Sequence, residues 1–212
     1  MLYGQLIRSF FYTLSILLKS CPANLKNFEI RGLSMKIYEL KDGKELVIRE
    51  AVREDASNII DYTKTVFGET TYLTRTPEEF LVSVEEEEQL IEETNKKNNC
   101  IFLVAEVDNE IVGTLTFSAS SSQRTRHIGE FGMSVKKAYW GLGVGSNLLS
   151  YLIEWAKETN IIRKINLKVR EDNIRAIALY KKFGFKKEGT ITRYFYVDRR
   201  FYSVIEMGLE ID

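Results

Sequence analysis

Apolar positions along the chain change period several times, and each change marks an element. Leu46, Val47 and Ile48, between Glu45 and Arg49, give a first strand. Ala56, Ile59, Ile60, Thr63, Val66 and Phe67 recur at intervals of three and four, the spacing of one helix face. Thr76-Pro77-Glu78-Glu79 forms a capping box with proline at the first helical position, and predicts a helix from there to 93–96. The runs 100–107 and 110–120 predict a hairpin across Asp108-Asn109. After a polar loop over 120–126, Ile128, Phe131 and Val135 mark a fourth strand. Apolar residues at 148, 149, 152, 153, 155 and 156 then mark a helix ending near Thr159. Residues 164–169 predict the fifth strand, and 174–182 a helix closed by Gly184 just past its end. Residues 189–197 and 201–209 predict a last hairpin. The order βααβββαβαββ gives a single α/β (α+β) domain with a mixed sheet of about seven strands and about four helices.

Between the fourth strand and its helix lies Tyr139-Trp-Gly-Leu-Gly-Val-Gly145. Glycines at alternate positions strip side chains from the turn, so its N–H groups and those opening the helix can converge on an anion. A P-loop ends in Gly-Lys-Ser/Thr and a dinucleotide fingerprint reads G-x-G-x-x-G. This turn reads G-x-G-x-G and continues Ser146-Asn147, so it is neither. A turn that merely lets a helix pack on a strand is the alternative.

At 212 residues and 44% hydrophobic content the chain fits one globular domain. Thirty basic side chains balance thirty acidic ones, which leaves no overall field for nucleic acid. Acids gather over 78–93, and 163–200 hold twelve Lys/Arg against four acids. Each stretch is either a solvated face or, functionally, the basic half beside a phosphate ligand and the acidic one near a cationic amine. Cys21, Cys100 and His127 are too few for a disulfide scaffold, a metal site or a Ser-His-Asp triad. No metal and a reducing, cytoplasmic setting are therefore expected. The apolar run 10–18 is too short to span a bilayer as a helix, so no membrane partner is expected. Residues 1–34 are taken as an extension, disordered or upstream of a native start at Met35, with an anchoring helix as the alternative.

Downstream of the glycine turn run Asn173, Ala176, Leu179, Tyr180, Gly184 and Phe185. Together the two segments resemble the GNAT superfamily of acyl-CoA-dependent N-acetyltransferases, whose signature is Q/R-x-x-G-x-G/A followed by N-x-x-A-x-x-L-Y-x-x-x-G-F. The chain is most similar to the bacterial small-amine and amino-acid acetyltransferases, and the resemblance covers residues 46–210 as the N-acetyltransferase domain. Trp140 departs from the pattern, standing where the family has Gln or Arg. That removes one polar contact to the cofactor while leaving the main-chain cradle intact.

The resemblance implies a sheet splayed between the fourth and fifth strands, with acetyl-CoA as co-substrate. Its diphosphate would lie over Gly141, Leu142, Gly143, Val144, Gly145 and Ser146, and its pantetheine arm along the main chain of Met133, Ser134 and Val135. Asn173 would bond the pantetheine or cap its helix. Tyr180 would protonate the departing thiolate, a role suited to a phenol with a pKa near ~10; a tyrosine packed in the core is the alternative. Relatives that use a glutamate two residues after the position of Asn166 cannot be copied, because that residue is Lys168. Glu130, on the strand face of Gly132 and Ser134, is the candidate base, with a surface carboxylate as the alternative and His127 as the other choice.

The expected activity is acetyl transfer to a primary amine of a small molecule such as an amino acid or polyamine. Tyr72, Tyr194, Tyr196, Tyr202 and the 68–75 loop would line the acceptor site, with Arg193 on a carboxylate. Acetylation of a protein N-terminus or lysine, and a non-catalytic acyl-CoA-binding module, are the alternatives. A homodimer through the last strands is expected from the family alone.

Overall fold

The computed structural model describes residues 27–30 and 33–212, with side chains from Met35 onward. Its strands are β1 (Asn27–Ile30), β2 (Leu33–Glu39), β3 (Glu45–Glu50), β4 (Ile101–Val107), β5 (Glu110–Ala119), β6 (Ile128–Val135), β7 (Lys164–Arg170), β8 (Lys186–Val197) and β9 (Arg200–Glu210). Its α-helices are α1 (Ala56–Glu69), α2 (Val84–Asn95), α3 (Val144–Glu158) and α4 (Ile174–Lys182). Among the described residues nine strands form one sheet in the order β1-β2-β3-β4-β5-β6-β7-β9-β8.

β4 shows why the sheet is covered on both faces. Its sequence is almost uninterruptedly apolar, as a strand buried on both sides requires. Ile101, Leu103, Ala105 and Val107 enter one core with Leu148, Leu149 and Leu152 of α3. Phe102 and Val104 enter another with Ile59, Tyr62 and Val66 of α1 and Ile91 of α2. Helices therefore flank both faces, and the site lies where the central ladder opens.

That opening is between β6 and β7, the one parallel pair. They share only Ile128↔Lys164, Gly129↔Ile165 and Glu130↔Asn166. Beyond that rung β6 stays with β5 as far as Val135↔Gly113, and β7 stays with β9 as far as Arg170↔Val204. The splay expected between these strands is thus present, and it leaves one edge of residues 131–135 facing a gap.

Four elements depart from the sequence expectations. The helix expected from Thr76 to 93–96 begins only at Val84. The Thr76 box caps a single 3-10 turn over Pro77–Glu79, and Phe80 then leaves helical geometry at ψ 84°. The Phe80 ring packs edge-on against Phe67 at 5.5 Å, and Ser83 with Glu86 forms a second capping box for α2. On α1, Tyr62 takes the buried face in place of Thr63 and Phe67. Finally, β2 pairs with β3 ahead of the first expected strand, and β1 pairs with β2. The expectation for residues 1–34 otherwise falls on 1–26 and 31–32, outside the described residues.

The β4–β5 and β8–β9 hairpins close through two-residue turns; Asp108-Asn109 suits the left-handed backbone such a turn needs, whereas Arg199 is not a residue that favours it. Asp108 and Asn109 have φ of 51° and 65°, and Asp198 and Arg199 have 48° and 61°, as tight hairpins with right-handed twist demand.

Candidate functional site

Two hydrogen bonds tie the glycine turn to its surroundings. Gly141 and Gly143 sit at φ 82° and 116°, conformations that L side chains rarely adopt. The Trp140 indole N–H donates to the Val135 carbonyl at 2.7 Å, and the Lys41 N–H donates to the Leu142 carbonyl at 3.2 Å. On the far side Gly113 admits the end of α3, since a Cβ there would lie 3.1 Å from Val144 Cγ1.

A turn shaped only for packing would be crowded at its glycines. Instead, a Cβ on Gly141 meets nothing within 4 Å, and one on Gly143 only Asn147 and Leu40 at 3.8 and 4.0 Å. These glycines serve backbone conformation beside open space. The N-cap of α3 is Gly143 with no side-chain cap, and its first turn contains no acid. Its leading N–H groups and the positive end of its dipole therefore remain available to an anion.

The open space is a cavity of about 340 Å³ between this turn, the free edge of β6, α4 and the 68–75 loop. Of the expected site residues, Met133, Ser134, Val135, Gly141, Gly143, Val144, Gly145, Ser146, Asn173 and Tyr180 border it. Leu142 and Glu130 do not. Leu142 packs its side chain on the main core. Glu130 projects into solvent one rung before the opening, and its Oε2 accepts from Lys168 Nζ at 2.6 Å. That bond is the main reason the Lys168 pKa is raised.

Tyr180 is 7% exposed, with its ring 5.8 Å from that of Phe131 and 6.0 Å from that of Phe185. Burial pushes its phenol up to about 12, which makes it a weaker acid than the value near ~10 expected for it from the sequence. Asn173 caps α4, its Oδ1 accepting from the Ala176 N–H at 3.2 Å. Ser134 Oγ lies 2.9 Å from the Tyr62 hydroxyl, linking the free edge of β6 to α1.

Of the residues expected to line an acceptor site, Tyr72 borders the cavity and Tyr202 does not. Their rings sandwich the Arg170 guanidinium, at 4.3 and 4.4 Å. Tyr194 and Tyr196 are exposed on β8, and Arg193 stacks over Phe201 at 5.1 Å, so these three do not meet at the cavity. His127 is also absent from its border.

Sequence reasoning missed Lys41, Arg175 and Lys182, which all border the cavity, whereas no Asp or Glu does. Lone cations on a turn and a helix carry no pattern that would have marked them. An uncapped helix N-terminus and three cations form a donor set suited to a polyanionic ligand such as a diphosphate.

A family profile described as Acetyltransferase (GNAT) family matches residues 68–185. The chain belongs to that family. As a GNAT protein it is an acyltransferase, and its relatives carry matching names. An L-amino acid N-acetyltransferase from Escherichia coli is 38% identical over 92 residues, covering 43% of this chain and 57% of that one. An N-alpha-acetyltransferase from Sulfurisphaera tokodaii is 32% identical over 77% of this chain and 93% of that one. Among solved structures, a GNAT acetyltransferase from Streptococcus pneumoniae is 35% identical over 79% of this chain and 99% of that one, with a TM-score of 0.77. An acetyltransferase from Salmonella typhimurium, solved with acetyl-CoA, shares the fold at 22% identity over 79% of this chain and 94% of that one, with a TM-score of 0.68. No described helix of this GNAT protein is long and apolar enough to cross a membrane, and the described residues contain no group of three or more metal-ligating side chains.

Proposed function

We infer that the protein transfers an acetyl group from acetyl-CoA to the primary amine of a small molecule, in the cytoplasm where that donor is made. One observation carries this: the cavity joins an uncapped, acid-free helix N-terminus to the free edge of a splayed strand. Bound acetyl-CoA supplies the thioester carbonyl that the amine attacks.

The chain's own groups do the rest. Main-chain N–H groups of Gly141 and of residues 143–146 hold the diphosphate, whereas the Leu142 N–H turns to the Tyr139 carbonyl at 3.5 Å and its own carbonyl accepts from Lys41. The main chain of Met133, Ser134 and Val135 orients the pantetheine arm, and Asn173 fixes the start of α4 beside it. Orientation of this kind can supply roughly 7–11 kcal/mol of a bimolecular barrier. Tyr180 holds the proton destined for the thiolate, and Phe131 and Phe185 keep water from its ring. Glu130 takes the proton of the amine at the mouth of the splay, through solvent, since its carboxylate stands outside the cavity border.

Within small amines an amino acid suits the cavity better than a polyamine. No Asp or Glu side chain borders it to receive the charges of a polycation. A second reading, acetylation of a protein N-terminus, is favoured by the length of the match to an N-alpha-acetyltransferase. CoA release measured on a panel of amino acids, polyamines and short peptides separates these. Amino-acid turnover supports the first reading, peptide turnover the second, and polyamine turnover overturns the argument from charge. Turnover of none, with acetyl-CoA bound, would leave a non-catalytic binding module.

A further inference from the structure

We propose that Arg175 is the diphosphate-binding side chain of this protein, supplying from α4 the polar group that Trp140 does not provide. The inference rests on the acetyl-CoA reading and adds to it a residue that the signature does not contain.

Trp140 cannot bond the diphosphate itself. Its single N–H is committed to the Val135 carbonyl at 2.7 Å, and an indole has no second donor. Its ring face, however, supports the Arg175 guanidinium at 3.8 Å from the centroid. Stacking of this kind fixes the plane of the guanidinium while leaving its N–H edge free to donate. Tryptophan at 140 thus serves as a platform for a donor in place of being one.

Arg175 lies in the first turn of α4 and stacks on Trp140, the residue before Gly141; it borders the same cavity as Gly141, Gly143 and Ser146. No ion pair joins it to a carboxylate of the described residues; Tyr72, from the 68–75 loop, is the group that acts on it electrostatically. Partial burial lowers its pKa, so the charge is held at a cost that an anion would offset. Lys41 and Lys182 add positive potential on the same border. The planar fork of an arginine is the geometry that grips two phosphate oxygens at once.

Calorimetry on the full chain tests this, with acetyl-CoA, 3′-dephospho-CoA and pantetheine as ligands, pantetheine being read by competition. Arg175→Ala should weaken acetyl-CoA and 3′-dephospho-CoA alike, by about 10- to 100-fold, as for loss of a charged hydrogen bond. It should leave pantetheine unchanged and flatten the salt dependence of acetyl-CoA binding. Arg175→Met, which keeps an apolar contact on the Trp140 ring, should behave as Arg175→Ala does and guards against a packing defect. Equal weakening of pantetheine, or full retention of acetyl-CoA affinity, overturns the proposal. Weakening confined to acetyl-CoA moves the interaction to the 3′-phosphate and overturns the diphosphate assignment. Failure of the unaltered protein to bind acetyl-CoA would instead sink the functional reading on which this one stands.

Discussion

The guanidinium of Arg170, at the end of β7, donates to the carbonyl of Thr71 at 2.7 Å. This bond ties the sheet to the loop that carries Tyr72 and Leu73 onto the cavity border. Two bonds to Asp172, at 2.6 and 3.1 Å, a bond to the Thr71 hydroxyl at 3.3 Å, and the rings of Tyr72, Tyr202 and Phe195 surround a side chain that is 5% exposed. Arg170 therefore holds the 70–73 segment at the cavity border without itself bordering the cavity.

Arg170→Lys keeps a charge but loses the fork and most of the stacking. It should raise the amine KM by about tenfold, from an interaction loss of about 1–2 kcal/mol, while acetyl-CoA affinity stays close to that of the unaltered protein. Hydrogen exchange at the amides of residues 70–73 should quicken in parallel. Unchanged exchange there would show that the loop is held by something else.

Tyr180 gives a prediction in pH. The phenol titrates near ~10 in the unfolded chain, and burial pushes it up to about 12 in the folded one. Between those values the unfolded state has released a proton that the folded state retains. Stability should therefore fall as pH rises through this window, with no contribution from this group to the slope below it. Tyr180→Phe removes that part of the slope, and the difference between the two proteins in alkaline denaturant titrations isolates it from other tyrosines. The same substitution should lower kcat by about 10²- to 10³-fold with acetyl-CoA still bound. Full activity in the phenylalanine variant would end the assignment of the thiolate's proton to this residue.

How much of this was legible before the structure depended on how local the signal was. The hairpin turn at Asp108-Asn109 is written in adjacent residues, and of the two roles that the sequence offers Asn173 the structure shows the α4 cap. The Thr76 capping box was read correctly as a cap and wrongly as the start of a long helix. What stopped it was Phe80, whose burial against Phe67 belongs to tertiary packing. β2 escaped notice because polar Lys36 interrupts its apolar run. That lysine is buried, bonded to Glu154 and 4.8 Å from the centre of the Tyr151 ring, both partners far off in sequence on α3. Lys41, Arg175 and Lys182 converge only once turn, helix and cradle are in place. The face on which Glu130 lies followed from strand parity, whereas its tie to Lys168 depends on the short parallel ladder.

A buried charge cluster sets the expected stability of the other face. Arg49 donates to both carboxylate oxygens of Asp55, at 2.7 and 2.9 Å, and to Glu106 at 2.8 Å. Burial alone would lower the Arg49 pKa; its bonds to Asp55 and Glu106 outweigh that, and the net shift is upward. Asp55 also accepts the Val52 N–H at 2.9 Å, just ahead of α1. Asp55→Ala leaves the guanidinium buried with one carboxylate, and should cost about 3 kcal/mol in urea unfolding at neutral pH. A cost below about 1 kcal/mol would mean that solvent screens the cluster.

Gly129 carries the sharpest steric requirement near the splay. A Cβ there would lie 2.3 Å from Phe117 Cζ and 2.7 Å from the Ser118 carbonyl oxygen. The Phe117 ring is fully buried and the carbonyl belongs to β5, so neither can move aside without displacing the strand that carries β6. Gly129→Ala should therefore destabilise the fold by about 1–3 kcal/mol and weaken acetyl-CoA binding as the free edge of Met133 and Val135 shifts. Gly132→Ala, three residues on in the same strand, meets nothing within 4 Å and serves as the matched control. If the two substitutions prove equally mild in thermal unfolding, the ring yields more readily than its burial implies.

Glu130→Gln separates chemistry from structure. The Glu130–Lys168 pair is well exposed, with half of the glutamate side chain open to water, and exposed pairs contribute little to folding. The amide variant should keep its unfolding midpoint and its acetyl-CoA affinity, because Glu130 is absent from the cavity border. If the carboxylate takes the proton of the amine, kcat/KM should fall by about 10²-fold or more at neutral pH. The loss should shrink as pH rises, because a growing share of the amine then arrives already neutral. A fall of less than about threefold at all pH values would hand that proton directly to solvent, and leave Glu130 as a surface partner of Lys168.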